Sequence, residues 1–441
     1  SHMLLGSPHL ESLATVEIEP AMLEGSRIFL PATRRVFQDP RSRFVIDDAK
    51  SFLAQGGEPL DLILSEPSNP WVSGVASLFS DEFYARVQAR LAPGGVFGQW
   101  LHLYEIDDGL VLSVLAAIHR NFPAYHIYLV HSADMLIVAG RDPGLDAPDW
   151  SVFEYPGVAE DLARTHPFHP SLLDASRFLT RDALAPLMET WSRPNSDFYP
   201  MLDLGAERAR FLQLPASGFL EAASGPFDVG DVFLPRVNWR EGPTVTPVPQ
   251  IPMGRALTLR NRILDALADE DGAPEDLETD LELRQALHRW QAAQAFMALE
   301  TPPVDWSSWL REVLAGGGWG PQTGWTILYP DFLSQVKAAA RRMGASGGVL
   351  GTVDFLEAFF ARDWPGLERS SAVLAEEIAE GRRWIRPDVV LDAGTLARMA
   401  LSKPEDARDF FMGLAPLSGR SPGDLRHRLV QAHLDRSLSL R

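Results

Sequence analysis

The sequence predicts a Rossmann-like α/β domain with a mostly parallel sheet, followed by an α-helical domain. From residue 4 to about residue 143, short aliphatic runs alternate with helical patterns, as in parallel strands joined by crossover helices. After Met253 only helical spacing remains. We therefore expect three parts: an α/β domain over 1–143, an irregular and partly helical extension over 144–252, and a helical domain over 253–441. The extension ends in a proline-punctuated linker at 243–252.

The elements of the α/β part follow in a regular order. Strands are predicted at 13–19, 43–48, 60–65, 96–103, 125–130 and 135–139, and helices at 20–30, 49–54, 79–91 and 108–121. The last two strands have only a tight link between them, so they must be antiparallel neighbours. In the extension, helices are expected at 158–165, 171–178 and 181–190. Later helices pair off as hairpins, which predicts degenerate helical repeats of the tetratricopeptide kind.

The composition excludes several classes of function. The chain has 441 residues, no cysteine and a formal net charge of -19. Disulfides, thiolate catalysis and cysteine-ligated metals are therefore excluded, and non-specific binding to nucleic acid or anionic lipid is disfavoured. No run approaches the ~18 apolar residues of a membrane span. Ser1-His2-Met3 resembles a remnant of tag removal, so we expect the natural chain to begin upstream.

Three successive predicted strands end in acids. Glu17 and Glu19 close the first strand, Asp47 and Asp48 close the second, and Glu66 follows the third. Ligands of open α/β sheets bind outside the carboxyl ends of the strands, where one acid can accept the ribose hydroxyls of a nucleoside. An acid one strand along can accept the adenine amino group. A single strand-end acid more often caps a helix or stays solvated, but three in sequence favour nucleoside binding.

The third acid stands at a sharp break in the chain. The aliphatic run 60–65 reads as a buried strand, and Pro67 and Pro70 prevent it from continuing as strand or helix. Glu66 is thereby delivered to the ligand-binding end of the sheet. The alternative is that Glu66 caps the next helix or pairs with an arginine.

Four segments, 16–20, 45–49, 61–70 and 91–96, resemble the spermidine synthase family in order and spacing. That family comprises polyamine aminopropyltransferases with the class I S-adenosylmethionine methyltransferase fold. The stretch from Glu66 to Gly74 is most similar to that of bacterial spermidine-synthase-like proteins, which are often fused to membrane segments. The resemblance covers about residues 4–143, and it implies a role in polyamine biosynthesis.

The resemblance implies residues for the nucleoside co-substrate. Glu17 would hold the ribose of decarboxylated S-adenosylmethionine, and Asp48 would hold its adenine amino group. Ala49 stands where the family usually has glycine. No permanently bound cofactor and no metal are expected. The pair His166 and His169 has a metal-like spacing, but no third ligand accompanies it.

The resemblance also implies residues for the amine. Glu66 would be the catalytic acid, Asn69 would lie beside the amine, and Gln99 would line the same cleft. A carboxylate can orient the attacking amine, accept its proton and stabilise the cationic centre. The loop 68–71 is also similar to the Asn/Asp-Pro-Pro-aromatic loop of amino-methyltransferases, in which Trp71 would stack on the target.

The departures from the family pattern bear on activity. The Gly-rich first loop and the strand before it are absent, and so is the small β domain that covers the polyamine. Glu66 replaces the usual aspartate, and Asn69 replaces a second acid, which removes a charge for binding a diamine. The substrate loop is reduced to about 131–134. The sequence leaves open whether a chain without the Gly-rich loop is active.

The leading hypothesis is aminopropyl transfer from decarboxylated S-adenosylmethionine to an amine. An S-adenosylmethionine-dependent methyltransferase is the alternative enzyme. The non-enzymatic alternative is a scaffold whose helical repeats bind a protein partner. The expected location is the cytoplasm, including the cytoplasmic part of a membrane-tethered protein.

Overall fold

The computed structural model describes residues 1–439 apart from 132, 146–147, 165–172, 174–175, 191–192, 225–280, 318–330 and 362. These residues form two compact units. Within the described part, the first unit contains residues 1–181 and 193–216, and the second contains 182–190, 217–224 and 281–439. The predicted extension is thus shared between the units. The predicted linker and the His166–His169 motif lie outside the described residues.

The strands of the first unit form two sheets. Strands β1 (Leu13–Glu17) and β2 (Ser42–Ile46) pair in parallel. The other sheet contains β3 (Leu60–Ser65), β4 (Leu91–His102), β5 (Ala124–His131), β6 (Asp134–Gly140) and β7 (Arg177–Thr180) in the order β3-β4-β6-β5-β7. β3 and β4 are parallel, and the remaining pairs are antiparallel. The predicted Rossmann-like fold and its antiparallel closing pair are confirmed. The prediction of a mostly parallel sheet is wrong, because β3·β4 is the one parallel pairing described in the five-stranded sheet.

Within the described residues, β1 pairs only with β2, and β3 pairs on one side only, with β4. In a doubly wound sheet the first strand lies between the second and the fourth. β1 and β3 are therefore unpaired with each other at the position where a doubly wound sheet has a further strand between them. On β3, Leu62 and Leu64 are 43% and 55% exposed, an unusual exposure for a strand with an aliphatic sequence.

The end of the predicted helix over 171–178 is wrong. Residues 177–180 form strand β7, which pairs with β5. Phe178 and Leu179 are both buried, so neighbouring side chains are apolar on both faces. A short run of this kind cannot be told from a buried helix by periodicity alone.

Seven helices of the first unit are described: α1 (Pro20–Gly25), α2 (Leu30–Gln38), α3 (Ala49–Ala54), α4 (Asp81–Arg90), α5 (Asp108–Asn121), α6 (Pro156–Arg164) and, after α7, α8 (Met201–Phe211). Short 3-10 turns occur at Leu4–Gly6, Ser26–Phe29, Val75–Phe79 and Trp150–Glu154. The helix predicted over 20–30 is divided, because a 3-10 turn separates α1 from α2 and Pro31 opens the latter.

Helix α5 is the centre of the core of the first unit. Its side chains from Leu110 to Ile118 are all buried. Helix α8 approaches it closely at Gly205, where an added Cβ would meet Leu110 Cδ2 at 2.6 Å. A side chain at this position would therefore displace the end of the Leu110 side chain.

The segment 193–203 packs on the first unit, as predicted. Its anchor is Asn195, which is buried and donates through Nδ2 to the backbone oxygens of Ala76 (3.2 Å) and Phe79 (3.0 Å). Its Oδ1 accepts from the backbone N–H of Leu202 at 3.1 Å. Both N–H donors of the amide and its oxygen thus help to fix the start of α8.

The second unit is helical, which confirms the predicted class. Its described helices are α7 (Arg181–Thr190, from Asp182 onward), α9 (Ser217–Ser224), α10 (Leu281–Met297), α11 (Trp306–Gly316), α12 (Phe332–Arg342), α13 (Gly347–Ala361), α14 (Trp364–Ala379), α15 (Pro387–Ala400), α16 (Pro404–Leu414) and α17 (Leu425–Ser439), with a 3-10 turn at Ala415–Leu417. From α12 onward each helix packs on the next. A repeating hairpin unit stays a prediction. No helix in the described part of the chain combines the length and apolarity needed to cross a membrane.

Candidate active site

The loop after β3 carries the predicted acceptor-side residues. The pairing of β3 with β4 ends at Ser65, opposite Gln99, and the chain then leaves the sheet. Glu66 is exposed at this carboxyl end of the strand. Asn69 is half-buried and shares a side-chain hydrogen bond with Tyr104, which follows β4. The loop is therefore tied to the end of the neighbouring strand.

Gln99 lies on the opposite face of β4 from the aromatic side chains that follow it. Its side chain is fully buried, and its Nε2 donates to the backbone oxygens of Ser65 (3.3 Å) and Trp100 (2.9 Å). Its Oε1 accepts from the hydroxyl of Tyr84 on α4 at 3.4 Å. These bonds join the ends of β3 and β4, so Gln99 helps to position the loop from the face of β4 opposite the aromatic side chains.

An aromatic cluster faces the loop from the end of β4. The side chains of Trp100 and His102 lie on the same face of the strand, and Tyr104 follows at the next position of this every-second-residue pattern. The ring centroids of His102 and Tyr104 lie 4.6 Å apart, and those of His102 and Trp100 lie 5.5 Å apart. Trp71 approaches His102 edge-on at 4.9 Å and Tyr104 at 6.3 Å. The structure thus brings Asn69 and Trp71 together with this cluster.

His102 is neutral at physiological pH. Its side chain is 0% exposed, and neither ring nitrogen has a hydrogen-bond partner among the described residues. Burial lowers the pKa of His102 to about 4. The cluster therefore presents aromatic faces and an uncharged imidazole to the loop.

The predicted nucleoside-side acids lie together at the ends of β1 and β2. The backbone N–H of Asp47 donates to the backbone oxygen of Glu17 at 3.1 Å. The Glu17 side chain accepts from the Glu19 N–H at 2.9 Å through Oε1. Asp48 caps α3, since its Oδ2 accepts from the Ser51 N–H at 2.9 Å. Each of these two carboxylates uses one oxygen in these bonds.

Lys50, two residues after Asp48, is paired with the segment 193–203. Its Nζ lies 2.7 Å from Asp197 Oδ2 and 2.8 Å from Oδ1. Ala49 opens α3 between Asp48 and this pair. Within the described residues, no hydrogen bond or ion pair joins the group at β1 and β2 to the Glu66 loop. The acids therefore form two groups, one at each sheet.

The aromatic cluster could have been predicted from the sequence. Trp100, His102 and Tyr104 stand at every second position, which places their rings on one side of a strand. Asn195 and Asp197 have no such signal, because they reach the site from about a hundred residues further along the chain. No group of three or more potential metal ligands occurs among the described residues.

The family comparison agrees with the position of this site. Residues 3–133 match the family model for the Spermine/spermidine synthase domain. We call this matched region, residues 3–133, the synthase domain. The synthase domain thus contains both groups of acids, the loop 66–71 and the aromatic cluster.

Curated relatives match the same part of the chain. A spermidine synthase of Dictyostelium discoideum is 35% identical over 101 residues, which is 22% of this chain and 35% of that protein. A polyamine aminopropyltransferase of Synechococcus is 38% identical over 90 residues, or 20% of this chain and 29% of that protein. The chain thus spans about a third of the length of these relatives.

Two solved structures are similar at lower identity. A spermidine synthase in complex with the transition state analogue AdoDATO is 22% identical, with a TM-score of 0.30, covering 35% of this chain and 55% of that one. Human methyltransferase-like protein 13 in complex with SAH is 22% identical, with a TM-score of 0.28, covering 36% of this chain and 74% of that one.

Proposed function

We propose that the synthase domain transfers an aminopropyl group from decarboxylated S-adenosylmethionine to an amine, with Glu66 as the catalytic carboxylate. The observation that carries this proposal is the position of Glu66 in the domain. It is an exposed carboxylate at the carboxyl end of β3, beside a loop that Asn69 and Tyr104 hold in place.

The reaction makes specific demands on this carboxylate. The lone pair of a neutral amine attacks the propyl carbon next to the sulfonium, so that a C–N bond forms and the C–S bond breaks. The electron pair of the broken bond goes to sulfur, and methylthioadenosine leaves. Glu66 orients the amine and accepts the proton that the new ammonium must release. Its negative charge also stabilises the cationic nitrogen as the bond forms.

On the nucleoside side, Glu17 and Asp48 are the proposed contacts. Glu17 would accept the ribose hydroxyls and Asp48 the adenine amino group. Their observed bonds to backbone N–H groups use one oxygen of each carboxylate, which leaves the other oxygen for the ligand. Ala49 follows Asp48 at the start of α3, where its small side chain leaves room for the base.

The test of the catalytic assignment is Glu66→Gln in the full-length natural protein. The amide keeps the size of the side chain but cannot accept the proton, so turnover should fall by about 100-fold or more. Binding of methylthioadenosine, measured by calorimetry, should stay unchanged. Glu58→Gln, at an exposed position before β3, is the matched control and should leave turnover intact. Wild-type turnover of the Glu66 variant would disprove the catalytic role.

The identity of the donor is tested separately. Calorimetric titration with decarboxylated S-adenosylmethionine and with S-adenosylmethionine should show preference for the decarboxylated compound. The mass gained by the acceptor gives a second reading, since an aminopropyl group and a methyl group differ clearly. Preference for S-adenosylmethionine with methyl transfer would replace the proposal by a methyltransferase.

A further inference from the structure

The helix that carries the proposed adenine contact is held only weakly by burial. Helix α3 spans Ala49–Ala54, and Leu53 is its one buried side chain. A helix this short is not stable by itself, so its position depends on its contacts with the rest of the fold. Asp48 is the N-cap of α3. The place of the Asp48 carboxylate therefore depends on what holds this helix.

Most of the side-chain bonds around α3 are local. Asp48 Oδ2 accepts from the Ser51 N–H at 2.9 Å, and Gln55 Nε2 donates to Asp47 Oδ2 at 2.7 Å. Both bonds join residues of the segment 47–55 to one another. They shape the helix, but they do not fix it relative to the other helices of the first unit.

An ion pair joins α3 to a distant part of the chain. Lys50 Nζ lies 2.7 Å from Asp197 Oδ2 and 2.8 Å from Oδ1. The two side chains are 17% and 30% exposed, so solvent screens this pair less than a pair on the open surface. Asp197 lies outside the synthase domain, which ends at residue 133. The pair thus brings a residue of the extension against the helix that Asp48 caps.

The Asp197 carboxylate is charged in this pair. Burial alone would raise the pKa of Asp197, but hydrogen bonds from Lys50 and Ser80 and the positive charge of Lys50 outweigh it. The charge of Arg86 acts in the same direction, and the pKa lies below its usual value. The carboxylate is therefore ionised at neutral pH and attracts the Lys50 ammonium.

The backbone of Asp197 is fixed to the core of the first unit. Its N–H donates to Glu82 Oε2 at 2.8 Å, and the Ser196 hydroxyl donates to Glu82 Oε1 at 2.8 Å. Glu82 lies in the first turn of α4, a helix with buried side chains. The buried amide of Asn195 holds the chain one residue earlier. Asp197 therefore reaches Lys50 from a fixed support.

Building on the proposed function, we propose that Asp197, acting through Lys50, is a positioning residue that sets selectivity for the adenine of the nucleoside co-substrate. The pair holds α3 so that the Asp48 carboxylate stays where it can accept the adenine amino group. Neither Asp197 nor Lys50 needs to touch the nucleoside. Recognition of the base then depends on a residue that lies 147 positions beyond Lys50 in the chain.

Two nucleosides that differ in one group test this role: methylthioadenosine and its analogue with hydrogen in place of the adenine amino group. Both are titrated calorimetrically into the full-length natural protein and its variants. The wild type should prefer methylthioadenosine by about 10-fold or more, as expected for one hydrogen bond to a charged group. Asp48→Ser keeps a capping oxygen but removes the carboxylate, so it should abolish the preference.

Asp197→Asn should weaken binding of methylthioadenosine by about 3- to 10-fold and that of the analogue by less than about 2-fold, because only the former uses the Asp48 carboxylate. Lys50→Met should have the same effect. The double variant should bind no more weakly than either single variant, since each substitution removes the same pair. Asp203→Asn, the same change of charge at an exposed position of α8, is the matched control and should leave both Kd values unchanged.

A merely structural pair would give a different result. Its loss would lower thermal stability but leave the ratio of the two Kd values as in the wild type, and this outcome would overturn the proposal. Additive losses in the double variant would also overturn it, because they would assign separate roles to the two residues. In turnover, Asp197→Asn should raise KM for the donor and leave kcat at saturating donor unchanged.

The two proposals fail differently in these experiments. A preference for methylthioadenosine that survives Asp48→Ser would disprove the adenine contact of the proposed function. A preference that Asp48→Ser abolishes, but that Asp197→Asn and Lys50→Met leave intact, would keep that contact and disprove the positioning role.

Discussion

At the scale of single residues, burial alone sets the charge state of His102. It is 0% exposed and lies among the rings of Trp71, Trp100 and Tyr104. Protonation would add a buried charge, which is why its pKa falls to about 4.

This titration predicts a pH dependence of stability. The unfolded histidine has a pKa of about 6.5, so the unfolded chain binds the proton more tightly than the folded one. The stability that depends on neutral His102 is present above pH ~6.5 and is lost as the pH falls toward ~4, by up to about 3 kcal/mol. His102→Phe should remove this dependence.

The measurement is hydrogen exchange of β4 amides between pH 6.5 and 4, corrected for the intrinsic effect of pH on exchange. The pKa of His119 is also lowered to about 4, because burial and then the charge of Arg181 act on it. His119→Phe is therefore the control, since it should leave the contribution of His102 in place. Equal pH slopes in the wild type and in the His102 variant would contradict the prediction.

At the scale of elements, most strands and helices could be predicted because their patterns are local. The helix bounds 49–54, 108–121 and 181–190 and the strand 60–65 agree with the structure, since each is set by a cap, a proline or an aliphatic run. Strand β7 could not be predicted, because its partner β5 comes from a distant part of the chain. The same reason hid Asn195, whose contacts depend on how α8 packs.

The contact of α8 with α5 is tested by Gly205→Ala. The new Cβ would meet Leu110 Cδ2 at 2.6 Å, so the end of the Leu110 side chain must move, at a cost of about 1 kcal/mol. Hydrogen exchange of α5 amides measures this effect. Gly25→Ala, where nothing lies within 4 Å of the new atom, is the control and should cost less than ~0.5 kcal/mol.

At the scale of the whole molecule, the sequence predicted the order of the two kinds of structure but not their compact units. Periodicity distinguishes an α/β part from a helical part, because it depends on neighbouring residues. The division into units depends on contacts, and it assigns 182–190 to the helical unit although these residues directly follow β7. Nor could the sequence predict which charges of the helical unit would be buried.

The helical unit is held by a buried network of charges. Asp392 is 0% exposed and lies 2.9 Å from Arg420 Nη1 and 2.9 Å from Arg426 Nη2. Asp388 lies 3.0 Å from Arg420 Nη2. Burial alone would raise the pKa of Asp388, but the hydrogen bonds and charges of Arg386 and Arg420 outweigh it and hold the pKa below its usual value. Helices α15 and α17 are joined through these pairs.

Because the pKa of Asp388 is lowered in the folded state, its contribution is present above the unfolded value of ~3.9 and is lost as the pH falls through the folded one. The helical unit should therefore lose stability below pH ~4.

Asp392→Ala would leave Arg420 and Arg426 buried without this partner, which should cost about 3–5 kcal/mol. Hydrogen exchange of α15 amides in the full chain measures this loss. Asp409→Ala, from an exposed pair with Arg408, should cost less than ~1 kcal/mol. Equal effects of the two substitutions would show that the buried network does not stabilise the unit.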